Sequence, residues 1–137
     1  SAYDNIAIGR NCLEPKTIHG QGNEAMGKKA QAYNTSGFGC VSLGYYAGFL
    51  NNSGGNNIGL GYGALFNNQT GSNNIALGRH SGKSNSPSGA ITGSNTICLG
   101  DNNIANIYCA DTTISSSDQR DSRRARGFCS RFLKPSL

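Results

Sequence analysis

One short phrase recurs along this chain at a nearly fixed interval. It reads Asn5-Ile6-Ala7-Ile8-Gly9, Cys40-Val41-Ser42-Leu43-Gly44, Asn57-Ile58-Gly59-Leu60-Gly61, Asn74-Ile75-Ala76-Leu77-Gly78 and Thr96-Ile97-Cys98-Leu99-Gly100, with a degenerate copy at Asn23-Glu24-Ala25-Met26-Gly27. The closing glycines stand 18, 17, 17, 17 and 22 residues apart. A fixed period of this length marks a repeat architecture, in which each unit buries its apolar surface only by stacking on its neighbours. The chain is therefore a rod or prism before it is anything else.

Aligned on the closing glycine, each column acquires a physical meaning. Ile6, Val41, Ile58, Ile75 and Ile97 stand three before it, with Glu24 the exception, and Ile8, Met26, Leu43, Leu60, Leu77 and Leu99 stand one before it. Residues two apart share one face of a strand. Each phrase thus predicts a short strand whose apolar face supplies the repeat core. The residue between the two columns is small in all six copies, so the other face meets something at close range, most simply another backbone. The glycine predicts a bend or a positive φ that a Cβ would hinder. The segments Tyr45–Leu50 and Tyr62–Phe66 read as a second, weaker extended stretch, and the Asn/Gly-rich linkers as turns. Helix is all but excluded by the density of Gly and Asn.

Only 36% of the residues are hydrophobic, low for a self-sufficient domain. Sister chains are a usual source of the missing core. The expected fold is accordingly all-β: a repeat-built triangular β-prism or β-roll, homotrimeric, with an irregular C-terminal tail. A single-chain β-solenoid is the competing arrangement. The organisation expected is a shaft over 1–108 with a period of about 17, a junction over 109–121 and a basic tail over 122–137.

The basicity is local. Residues 1–117 carry six Lys/Arg against five Asp/Glu, and residues 118–137 carry six against two. No nucleic-acid module accompanies that tail, so no nucleic-acid partner is expected. Five cysteines form no CxxC pair, and His19 and His80 stand apart, which argues against a metal site. Cys40 and Cys98 fall within the phrases and read as small buried residues of a protein folded in reducing cytoplasm. No stretch reaches the length of a membrane span, so membrane insertion is not expected. The carboxylates show no pairing for glycoside cleavage and no cofactor motif stands out, so the chain reads as a non-enzyme without cofactor.

Candidate contact residues are Tyr45, Tyr46, Tyr62 and Phe66, with Arg79 and His80 where a later copy departs from the aromatic pattern, and Lys83 in the loop of the longer last step. Aromatic rings can pack against sugars in a binding site. The simpler role of these rings is to stack on one another between rungs. Within the longer last step, Lys83–Gly89 reads as an exposed loop and a further place for a ligand.

The stretch Asn57 to Gly71 resembles the repeat of phage tail-fibre and tailspike shafts, and more distantly is similar to the head repeats of trimeric autotransporter adhesins. The resemblance covers roughly residues 1–108. It implies a homotrimeric virion protein, attached to other tail proteins, that presents a surface to a host glycan or protein receptor. A bacterial trimeric surface adhesin and a monomeric β-solenoid binding protein are the alternatives. Thr112–Asp121 resembles the junction into an endosialidase-type intramolecular chaperone, which releases itself by cleavage at a Ser-Asp step. Carried over, the nucleophile is Ser117, the chaperone begins at Asp118, and Arg120 matches the motif's arginine. The lysine of that motif is replaced by Ser122, which cannot act as the base a Ser–Lys pair needs, and Arg123 stays protonated. The tail from Ser122 to Leu137 reads either as a frame slip or as a natural short basic end.

Overall fold

The computed structural model describes residues 3–14, 19–108 and 110. The chain divides into two units, Ser1–Ile104 and Ala105–Leu137. The described residues of the second unit are exposed and lie in neither strand nor helix. Apart from residue 110, the junction and tail residues, including Ser117, Asp118, Arg120 and Ser122, lie outside the described residues.

All six phrases, the degenerate one included, form strands of three residues: β1 (Ile6–Ile8), β2 (Glu24–Met26), β3 (Val41–Leu43), β4 (Ile58–Leu60), β5 (Ile75–Leu77) and β6 (Ile97–Leu99). They pair in sequence order as one parallel sheet, each phrase in register with the next. The bonds repeat from rung to rung. Val41 N–H donates to Asn57 O and Ile58 N–H to Asn74 O, both at 2.8 Å, while Gly61 N–H donates to Leu43 O at 2.8 Å. A parallel sheet of consecutive strands one repeat apart is a β-solenoid, with one strand per rung.

The returning side of the coil differs from the extended stretch expected at Tyr45–Leu50 and Tyr62–Phe66. It is a series of turns, because left-handed residues recur two and four positions after the closing glycine: Tyr46 (φ 60) and Gly48 (φ 58), then Gly63 (φ 66) and Leu65 (φ 53). Left-handed residues on alternate positions bend the chain and prevent a strand. The backbone still forms a ladder between rungs. Tyr46 N–H donates to Lys28 O (3.1 Å), Gly63 N–H to Tyr45 O (2.9 Å) and Gly48 N–H to Ala64 O (2.8 Å).

The two faces of the strands are reversed within one chain relative to the expected core. The small column is inside from the second rung on: Ala25, Ser42, Ala76 and Cys98 are at most 4% exposed and Gly59 is buried, while Ala7 of the end rung is exposed. Ile6, Ile8, Leu43, Leu77, Ile97 and Leu99 lie on the outer face, and Val41, Ile58, Leu60 and Ile75 are half-buried there. The reason is the width of the coil. A Cβ added at Gly59 would already lie 3.3 Å from Ala64 O of the returning segment, so the strand side of the interior has room for small side chains at this column, and the larger buried residues come from the returning side. The close backbone approach read from the small column is present, and the backbone is the chain's own.

The interior is filled by Ala30, Ala47, Ala64 and Ser81 on the returning side, with Leu65 and Ile91 near the last rungs. Buried asparagines run beside them. Asn57 Nδ2 donates to Gly71 O (2.7 Å), and its Oδ1 accepts from Asn74 N–H (3.0 Å); Asn23 Nδ2 likewise donates to Gly37 O (2.8 Å) and accepts from Cys40 N–H (3.1 Å). Each amide thus joins one rung to the next and satisfies backbone groups that water cannot reach.

Cys40 interrupts this ladder. Its Sγ lies 3.2 Å from Gly54 O, and the neighbouring Asn51 Oδ1 is buried without a partner. Burial pushes the Cys40 thiol above its ordinary range, opposed by the Asn57 backbone N–H beside it. Cys40→Asn restores the amide found in the adjacent rungs and replaces weak sulfur contacts with two amide hydrogen bonds. The expected outcome is a stabilisation of about 1 kcal/mol, read as a higher midpoint in urea. An unchanged or lower midpoint would show that the coil has no room for the amide at this rung.

Candidate functional site

The residues just after each closing glycine form one corner of the coil. Directly after it stand Arg10, Lys28, Tyr45, Tyr62, Arg79 and Asp101, and next to these Asn11, Lys29, Tyr46, Gly63, His80 and Asn102. The second column takes positive φ at Asn11, Lys29, Tyr46, Gly63 and His80, and repetition of that conformation sets successive side chains above one another.

The rings stack as the simpler sequence reading has it. Tyr45 and Tyr62 are stacked at 5.4 Å between ring centres, and Tyr62 lies 4.9 Å from His80. Beside this column Phe49 and Phe66 are stacked at 5.0 Å, with Tyr46 meeting Phe49 edge-on at 4.7 Å and Phe66 at 5.7 Å. Tyr45 and Tyr46 join the two columns at 4.2 Å. Offset and edge-on pairs at such distances add to ordinary burial. Tyr45 and Tyr62 remain 38% and 43% exposed, so the ladder is stacked along the coil and open at its side.

Lysines lean over it from both ends. Lys28 Nζ is 5.2 Å from the Tyr45 ring, Lys29 Nζ is 5.5 Å from Tyr46, and Lys83 Nζ is 4.5 Å from Phe66. These are cation–π distances, and they hold the ammonium groups against the rings. Burial, with like charge from Lys83 and Arg79, holds the His80 imidazole below its ordinary range. The hydroxyl of Tyr45, followed by Lys29 and Lys28, draws the Tyr46 phenol below the usual range.

Tyr45, Tyr46, Tyr62, Phe66, His80 and Lys83 are therefore brought together on one surface, with Arg79 in the same column one rung beyond Tyr62. Arg79 lies 3.9 Å from Asp101, whose carboxyl is held below its usual range by the Asn103 backbone N–H. Lys28 and Lys29 were missed among the candidate contacts, although the signal was present: they occupy the same two columns as Tyr45 and Tyr46. In the Lys83–Gly89 loop, Ser84, Asn85, Pro87 and Ser88 are exposed, while Ser86 is buried and bonded to Gly89 O at 2.8 Å. The chain then returns Ile91 to the interior.

A groove of about 330 Å³ opens at the last rung, lined by Leu77, Leu99 and Ile104 together with Arg79 and Asp101. Among the described residues no cluster of His, Cys, Asp or Glu fits a metal ion, and no helix is long and apolar enough to cross a membrane. Cys12, Cys40 and Cys98 are free thiols in the interior. No family model, curated protein or solved structure matches this chain.

Proposed function

We propose that this coil is the shaft of a homotrimeric viral tail fibre or spike, which joins other tail proteins and holds a host-receptor-binding surface away from the particle. The observation that carries the reading is the outer face of the sheet. Six rungs place Ile, Leu, Val and Met in two columns on the outside, one of them interrupted at Glu24, with Ile6, Ile8, Met26, Leu43, Leu77, Ile97 and Leu99 all exposed in one chain. Large apolar patches mark interaction surfaces. An interior built mainly of Ala, Ser, Gly and Asn, with few large apolar side chains such as Leu13, Leu65 and Ile91, supplies limited hydrophobic stabilisation, which favours covering the outer apolar area by other chains. A second or third copy offers a self-complementary surface with the same rung spacing, and closed symmetry limits growth to a finite rod. Burial distributed over three chains slows unfolding, as an extracellular fibre requires.

Light scattering on the purified 137-residue protein tests this. Three chains per particle support the shaft, and one chain leaves a self-contained solenoid. That second reading is favoured by the closure of the small-residue interior on the chain's own backbone.

Glu24 gives an independent check. It occupies the outer column between Ile6 and Val41 in register and is exposed. In the trimer its carboxylate is partly desolvated beside two others. Glu24→Ile therefore stabilises the assembly by roughly 1–2 kcal/mol per chain, seen as slower subunit exchange. Faster exchange or unchanged exchange would place this column away from the interface.

A further inference from the structure

All five Lys/Arg among the described residues lie on the aromatic corner. Arg10, Lys28 and Arg79 follow a closing glycine directly, Lys29 stands second and Lys83 fifth. They are not spread evenly along it. Arg10, Lys28 and Lys29 flank the first two rungs, Arg79 and Lys83 flank the fifth, and the two rungs between carry Tyr45, Tyr46 and Tyr62. Three rung steps from Lys28 to Arg79 span about 14 Å. Asp101 is the one acid in the two corner columns, at the far end. The corner is thus an aromatic platform with a cationic group at each end, and lysines from both ends reach over the rings.

We propose that this corner is a binding strip for an acidic polysaccharide, whose sugar carboxylates meet the two cationic ends while the intervening sugars lie across the tyrosines. The proposal deepens the receptor-presenting reading and rests on it for its setting, since it names the chemistry of the receptor. The ring faces are already engaged, Tyr45 stacking on Tyr62 at 5.4 Å and Tyr62 lying tilted against His80 at 4.9 Å, with Lys28 over Tyr45, leaving edges and phenol hydroxyls to the outside. Those groups suit sugar hydroxyls and C–H edges. They do not suit nucleobases, which need an open ring face to stack on. Two cationic ends separated by uncharged rungs also match an acidic sugar at intervals better than a phosphate at every residue. The cations stand ready over the rings, which lowers the ordering cost of binding.

The test uses the assembled full chain, with its mass measured on the same sample. Calorimetry compares an octasaccharide of alternating glucuronic acid and N-acetylglucosamine with the same octasaccharide after reduction of its carboxyls to alcohols. The acidic form is expected to bind about tenfold more tightly, with the difference shrinking as salt rises. The triple variant Lys28→Gln/Lys29→Gln/Lys83→Gln is expected to weaken acidic binding about tenfold and to leave the reduced form unaffected. Tyr62→Ala is expected to weaken both. Equal affinity for the two octasaccharides, an unaffected triple variant, tighter binding of a single-stranded oligonucleotide, or no binding by assembled protein would each overturn the proposal. A monomeric mass with acidic binding intact would overturn the trimeric shaft and leave the strip standing.

Discussion

Gly44→Ala is expected to destabilise the coil severely. Gly44 has φ +134, a region that L side chains rarely adopt, and forcing it there costs about 1–3 kcal/mol. An added Cβ would also lie 2.7 Å from both the carbonyl carbon and the oxygen of Gly61 in the next rung. That neighbour is backbone in the ladder and has no rotamer to change, so relief requires rungs to separate, at about 1–3 kcal/mol more. A small domain is stable by about 5–15 kcal/mol in total, and this substitution removes a large share at one central position. Gly22→Asn is the matched control. Gly22 has φ +64 with nothing within 4 Å of its Cβ position, and its column holds Asn56 and Asn73 at φ 56 and 58. In a thermal melt followed by far-UV circular dichroism, Gly44→Ala is expected to lose the cooperative transition and Gly22→Asn to retain it. Equal melting of both variants would show that the glycine column does not set the rung spacing.

If the parent assembles into the proposed trimer, Leu60→Asp is expected to leave one chain per particle. Leu60 pairs in register with Leu43 and Leu77 at the middle of the outer face, so a trimer that uses this face brings three carboxylates together at one level. Removing a carboxylate from water without a partner costs several kcal/mol even after relaxation, and each chain contributes one. The side chain points away from the Ala/Ser interior, so the interior contacts are untouched. This separates the variant from Gly44→Ala, whose lesion lies in the ladder itself. Light scattering at micromolar concentration reads the result. A trimer that survives Leu60→Asp would move the interface off the Ile/Leu face.

The strands were legible because period-two alternation and a closing glycine are local signals, and local chemistry carries both. Even the degenerate phrase at Glu24–Met26 forms its strand, held by neighbours on either side. The glycine column was legible for the same reason: φ values of 127–134 at Gly9, Gly27, Gly44 and Gly61 belong to a residue without a Cβ. The returning side was misread as extended. Tyr46, Leu65 and His80 sit at φ 60, 53 and 54, where bulky residues are uncommon, and nothing in their identity announces it. The ladder of neighbouring rungs imposes that conformation on them. Of the candidate site, the rings were legible and their two lysine neighbours were not, because a column must be read across rungs before Lys28 and Tyr45 become adjacent.

The sequence alone determined the period, the strand positions, the turn-forming glycines and the pairing of large with small faces. Only the tertiary structure decided which face is inside. Alternation says which side chains share a face and is silent on which side of the strand the chain returns. That choice follows from the width of the closed coil: the returning backbone passes so near Gly59 that Ala and Ser fill the interior, and Ile and Leu are left to the outside.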